Sequence, residues 1–331
     1  MKTLALLSAA LLLAGPLSAQ IDRLELPGGE GPAAGLHVVF VSGDEEYRSE
    51  EALPQLARIL STRHGARCTV LFAQDDDGTI NPDRRDHIPG LETLADADLM
   101  VLFTRFRDLP DAQMQHVVRY VESGRPIVAI RTATHAFAFS DAPERSHRDW
   151  TWNAGAPMPG GFGRQVLGET WVAHHGRHGS ESTRGVVPVA ARRHPMVRGV
   201  EDVWGPTDVY AIRDLPLDAT VVLEGQILSG MTPDSAPAND PRNAPRMPIA
   251  WTRERPLPDV TAAQRVFTTT IGAATDFASE DLRRLFVNAC LWATHREAKI
   301  PDRANVDLVG EYTPTDFGFG TYVKGVKVAD A

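Results

Sequence analysis

Cysteine is almost missing from this sequence. Cys68 and Cys290 are the only two in 331 residues, one in an expected strand and the other in an expected helix, so two buried free thiols are expected rather than a disulfide framework. Positive charge is also short: 34 Lys and Arg face 43 Asp and Glu, a net charge of −9, and a nucleic-acid partner is not expected without a basic surface. No apolar run is long enough to span a bilayer, the N-terminal Leu4–Leu13 included. A G-x-G-x-x-G after the first expected strand and a Walker loop are both lacking, so a nucleotide is not indicated. There is no H-E-x-x-H pair. Asp75-Asp76-Asp77-Gly78 lacks the alternating ligands and late glutamate of a calcium loop and reads as a solvated turn. Internal repeats and low-complexity segments are absent.

The chain that remains begins with a processing signal. Met1-Lys2, the apolar Leu4–Leu13 and the small residues Leu17-Ser18-Ala19 before Gln20 read as a secretory signal cleaved after Ala19. An exported protein, periplasmic or extracellular, is expected. Residues 20–35 form a Pro- and Gly-rich leader, 36–296 one α/β domain, and 297–331 an extended tail that wraps the surface.

Within the domain, hydrophobic period and turn residues alternate strand and helix. Leu36–Val41, Arg67–Phe72 and Leu99–Phe103 have strand length and composition, and Pro126–Ile130 is a continuous apolar run. Between them, Leu53, Leu56, Ile59 and Leu60 keep helical spacing behind Ser49, taken as an N-cap. Met114, Val117, Val118 and Val121 do the same over Asp111–Glu122. Later strands are expected at Arg184–Val189, Val209–Ile212, Thr220–Leu223, Ile249–Arg253 and Arg265–Ile271, with a short helix over Phe162–Leu167. A last helix, Leu282–Thr294, is capped by Ser279-Glu280-Asp281. Right-handed βα crossovers make this a flavodoxin-like, doubly wound, mostly parallel sheet with helices on both faces.

In such a sheet, ligands bind at the carboxyl ends of the strands. Arg131-Thr132-Ala133-Thr134-His135 directly follows the strand expected over Pro126–Ile130, covered on both faces. The loops after the first, third and fourth strands then bring Asp44, Glu45, Glu46 and Tyr47 opposite Arg105, Arg107, Arg131 and His135. Carboxylates beside guanidinium groups hold ligand hydroxyls by bidentate hydrogen bonds. Asp44, Tyr47, Arg105, Arg107, Arg131, Thr132, Trp152 and Asp208 are the candidate substrate-binding residues. Trp150 and Trp152 are the candidate aromatic platform for a ligand, with one ring of a W-x-W pair often packed in the core instead. His135 paired with Glu45 fits general acid/base chemistry, since imidazole titrates near neutrality; His175 is a third candidate catalytic group. His174 and His178 are four apart, but Gly176 and Gly179 argue against a regular helix that would align them. No resident cofactor is expected, and a metal held by His174, His175 and His178 is an alternative.

The ordered segments SGDEEYRSEEALPQLARIL, FTRFRDLPDAQM, GRPIVAIRTATHAF, HPMVRGVEDVWGPTDVY and RVFTTTIGAATDFASEDLRRLFVNACLWA together resemble the ThuA-like (trehalose-utilisation) family of the class I glutamine amidotransferase-like fold. The resemblance covers about Leu36–Thr294. It implies a flavodoxin-like fold and a role in carbohydrate metabolism, with links to trehalose, related disaccharides and their 3-keto derivatives. The chain departs from relatives at two places. Amidotransferases carry a cysteine nucleophile where this chain has Arg131-Thr132-Ala133-Thr134, so thiolate-driven glutamine hydrolysis is excluded. Many relatives also have Gly-His where Gly272 is followed by Ala273. Three readings follow: acid/base chemistry on a disaccharide or keto-sugar, as isomerase or hydrolase; a non-catalytic carbohydrate-binding protein; and a metal-dependent hydrolase. The partner in each case is a small carbohydrate, and a homodimer is left open.

Overall fold

A computed structural model describes residues 22–258 and 260–331; the expected signal segment lies outside them. Ten strands form one sheet: β1 Arg23–Leu26, β2 His37–Gly43, β3 Arg67–Phe72, β4 Leu99–Thr104, β5 Ile127–Ile130, β6 Ser182–Val186, β7 Val203–Gly205, β8 Ala219–Leu228, β9 Met247–Leu257 and β10 Val260–Thr269. Their spatial order is β1-β3-β2-β4-β5-β10-β9-β8-β6-β7. The five strands β3-β2-β4-β5-β10 are mutually parallel, which is the flavodoxin-like order. The other pairings are antiparallel. Among the described residues, no helix is long and apolar enough to cross a membrane.

The parallel strands read as unbroken apolar runs because both faces are covered. Val38 and Phe40 of β2 point into one core with Leu53, Leu56 and Leu60 of α1 (Ser49–His64) and Leu285 and Phe286 of α3 (Glu280–Ala293). Their neighbours Val39 and Val41 point into a second core with Met114, Val117 and Val121 of α2 (Asp111–Glu122). Each fully buried Leu or Phe here contributes about 1.5–3 kcal/mol. Gly65 ends α1 in the left-handed conformation, with φ 82°.

Several expectations are corrected. The leader contributes a strand that was not expected: Arg-Leu-Glu-Leu alternates and adds an antiparallel edge strand to β3, with Leu24 and Leu26 packed on the core. Ser49 does not cap α1. Its hydroxyl accepts from the Asp44 N–H and bonds the Ser42 hydroxyl, while Arg48 occupies the cap position with φ 62°. Ser279 does cap α3, accepting from the Leu282 N–H. Val209–Ile212 is no strand but an isolated bridge from Tyr210 to His174, because its backbone partners lie in an irregular loop. Gly163–Leu167 forms one π turn. Cys68 and Cys290 are free and buried, and burial pushes both thiols up. The tail does more than wrap: Ala304, Val306 and Val328 enter the first core.

Candidate active site

The ends of β2, β4, β5 and β10 meet at one edge, and the loop carrying Asp208 closes over them. Arg131 sits at their centre, fully buried and with φ 47°. Its Nη1 donates to the carbonyls of Asp208 (2.9 Å) and Thr270, and its Nη2 donates to Asp208 Oδ1 at 3.2 Å and to the Tyr47 hydroxyl at 3.3 Å. The guanidinium carbon lies 4.5 Å from the Tyr47 ring centre and 3.9 Å from that of Tyr210. A cation sandwiched between two rings and held by carbonyls is a fixed internal charge. Arg131 therefore shapes the site without reaching a ligand.

Asp208 is the pivot. Its Oδ2 is 2.7 Å from His174 Nδ1 and its Oδ1 is 3.2 Å from His178 Nδ1. These hydrogen bonds, with the charge of Arg131, hold the carboxyl well below the usual range against the cost of burial. The hydrogen bond to Asp208 in turn raises His178. Asp276 positions the loop: its carboxylate accepts from the N–H groups of Thr207, Gly272 and Ala273 and from the Thr207 hydroxyl. Both imidazoles spend Nδ1 on Asp208, which directs Nε2 outward. His178 Nε2 is 3.7 Å from Glu46 Oε1, and the His174 and His178 side chains are each 36% exposed.

Aromatic rings border these imidazoles. Trp171 lies 6.0 Å from His174, 5.7 Å from His135 and 5.8 Å from Trp152, ring centre to ring centre. Phe106 lies 5.0 Å from His135 and 5.8 Å from Trp152. The strand-end turn of His135 is locked in place by close backbone approach. The Phe106 N–H donates to the His135 carbonyl, and a Cβ on Gly163 would meet the Thr134 carbonyl at 2.0 Å.

Position by position, the residues singled out from the sequence divide sharply. Asp44 has no exposed surface; its carboxylate accepts from the N–H groups of Glu46 and Tyr47 and from the Thr132 hydroxyl. Asp44, Thr132 and Tyr47 thus build the loop and offer a substrate nothing. Arg107 is equally buried and donates to the Arg105, Pro82 and Arg84 carbonyls as well as to Glu45 Oε2. Glu45 has both oxygens occupied, by Arg105 and Arg107, and is not beside His135 as an acid/base partner. Burial drives the His135 imidazole well below its ordinary value, helped by Arg105 and Arg131, so it stays neutral instead of titrating near pH 7. Its Nδ1 is 3.1 Å from the Thr134 hydroxyl. His175 lies outside the Asp208 cluster, its Nε2 bonded to the Arg242 carbonyl at 3.0 Å. Trp150 stacks on Phe162 in the core. Arg105 and Trp152 remain partly exposed at the cleft.

Sequence reasoning passed over Phe106, Trp171 and Asp276. Phe106, with φ 49°, had no signal beyond its place after a strand. Trp171 shared a segment with the histidines and was the one recoverable from proximity. One ligand atom each from His174, His178 and Asp208 lie within 4.8 Å of one another, the arrangement a metal ion would require.

The sequence matches the family model described as trehalose utilisation, ThuA, over residues 37–293. The chain belongs to the ThuA family. No curated protein matches this ThuA chain in sequence. Among solved structures it is similar to a ThuA-like protein of Parabacteroides merdae, at 17% identity, TM-score 0.46, covering 86% of this chain and 95% of that one. A ThuA-like protein of Bacteroides uniformis matches at 15% identity and TM-score 0.46, with coverages of 81% and 94%. The family links this ThuA protein to carbohydrate metabolism.

Proposed function

We propose that this protein is an exported enzyme that binds a disaccharide or keto-sugar at the sheet edge and moves a proton on it. The observation that carries the reading is the Asp208 carboxylate bonded through its two oxygens to two half-exposed imidazoles. A carboxylate on Nδ1 fixes the tautomer and leaves Nε2 free and facing outward, the arrangement in which a histidine serves as a general base. His174 takes a proton from a carbon beside a sugar ketone, or from a hydroxyl. His135, held neutral, hydrogen-bonds the neighbouring oxygen. Arg105 and the rings of Trp152, Trp171 and Phe106 hold the sugar by its hydroxyls and apolar faces.

A second reading is favoured by one further observation, the convergence of His174, His178 and Asp208 within 4.8 Å. These two imidazoles and a carboxylate would hold a divalent cation of the zinc or manganese class, leaving positions open for substrate. Such an ion supplies Lewis-acid polarisation of a sugar oxygen.

The test is incubation of the purified protein with disaccharides and their 3-keto derivatives in deuterated water, with and without chelator, followed by NMR and mass spectrometry. Deuterium appearing beside the carbonyl, lost in His174→Ala, supports the proton-transfer reading. Cleavage lost on chelation, with metal found in protein purified without a histidine tag, supports the metal reading. Binding by calorimetry with no turnover would make it a carbohydrate-binding protein. Mass analysis of the exported chain, expected to begin at Gln20, tests the localisation.

A further inference from the structure

The tail returns to the Asp208 cluster, bringing Phe317 against His178 and Phe319 against Arg105. Arg48, buried at the start of α1, donates to the Gly318 carbonyl at 2.7 Å, to Thr315 Oγ1 at 3.1 Å and to the Thr321 hydroxyl. Glu51 accepts from the Thr315 N–H at 2.7 Å and from its hydroxyl at 2.6 Å. The Gly318 N–H donates to the Glu46 carbonyl at 2.8 Å. A turn more than 260 residues away in sequence is therefore riveted to the loop that carries Glu45 and Glu46.

These anchors present two rings. Phe317 lies 5.6 Å from the Tyr47 ring and 5.3 Å from His178. Phe319 lies on the other side of Gly318, whose φ of 147° favours glycine, with the Arg105 guanidinium 4.9 Å from its ring. The Phe106 ring centre is 4.5 Å from the same guanidinium carbon. Phe319 is nevertheless 59% exposed. Six backbone or side-chain hydrogen bonds fix the turn that carries it, so the phenyl ring stands ordered and open beside Arg105, where a ligand can cover it.

We propose that Phe317 and Phe319 form a substrate-contacting wall, with the exposed Phe319 ring stacking on the apolar face of the second sugar unit of a disaccharide whose first unit lies at His174. The assignment rests on the sugar reading of the cleft and adds to it a specificity element outside the family-matched residues 37–293. The C–H face of a pyranose packs on an aromatic face, while its hydroxyls reach Arg105.

The test compares wild type, Phe319→Ala, Phe319→Trp and Phe317→Ala on a disaccharide, on its 3-keto derivative and on the corresponding monosaccharide, with binding followed by calorimetry and turnover by NMR. Phe319→Ala should raise the disaccharide KM about tenfold with kcat retained, and leave the monosaccharide unchanged. Phe319→Trp should restore disaccharide binding. Melting temperatures report whether each variant is folded. Unchanged disaccharide binding in folded Phe319→Ala overturns the wall while leaving the sugar reading intact. A wild type that neither binds nor converts any sugar overturns both.

Discussion

Two clusters of arginine and carboxylate stand at the same sheet edge and behave differently. In the first, Glu45 is bonded by Arg105 and Arg107, and Arg107 is further used up on three carbonyls. In the second, Asp208 bonds Arg131 but passes its remaining capacity to His174 and His178, which stay 36% exposed. Around Glu45 and Arg107 the first is closed and stabilises two loops, with Arg105 reaching the surface; the second is open and has ring nitrogens to offer. A buried charge pair marks chemistry only when one member of its network still faces a ligand. A third carboxylate sharpens the contrast. Both oxygens of Glu50 are buried without a hydrogen-bond partner, and burial pushes its carboxyl up to about 8.

The largest effect separating the clusters should be on stability. Glu45→Ala leaves Arg107 buried without a carboxylate and should cost about 3–5 kcal/mol by urea denaturation. A loss under about 1 kcal/mol, the size of an exposed pair, would mean the first cluster is not closed. His174→Ala, at a half-exposed position, should change stability by about 0.5 kcal/mol or less while lowering turnover by about 10²–10⁴-fold. The reverse pattern would exchange the roles of the two clusters.

Titration gives the next effect. Glu50, raised above its ordinary 4.5, contributes stability that is complete below that value and is lost as pH rises toward about 8. Glu50→Gln should therefore melt close to wild type in acid and above it in alkali. Equal melting differences at the two extremes would show the carboxyl to be solvated. Finest of all is the state of His178. Its raised pKa gives stability present below the ordinary 6.5 and lost as pH climbs through the raised value. Asp208 acts oppositely, its contribution being lost only as pH falls below the usual 3.8. In Asp208→Asn the His178 Cε1 proton should titrate at lower pH by NMR. An unchanged midpoint would assign the shift to Glu46.

The central sheet was legible because β2, β4 and β5 are continuous apolar runs, and α2 shows one clean helical stripe. Strand β1 was hidden: four alternating residues carry little signal beside the Pro- and Gly-rich segment behind them. The convergence of the loops after β2, β4 and β5 also followed from the order of elements. Which of their side chains faced outward did not. Asp44, Thr132, Arg107 and Arg131 look from composition like ligands for sugar hydroxyls, yet all four are buried. His175 and His174 are adjacent and identical in type, and only the Tyr210 bridge decides that His174 meets Asp208.

The sequence by itself determined the parallel sheet, its two covered faces, the absence of a cysteine nucleophile and the edge at which polar groups gather. Those properties depend on local period and on residue type, which neighbours in the chain specify. Tertiary structure alone decided which charges are spent and which are free. It placed Asp208 between His174, His178 and Arg131, and it brought Phe317 and Phe319 from the tail to His178 and Arg105. Hydrogen-bond saturation and burial are properties of contacts between distant segments, so no pattern along the chain encodes them residue by residue.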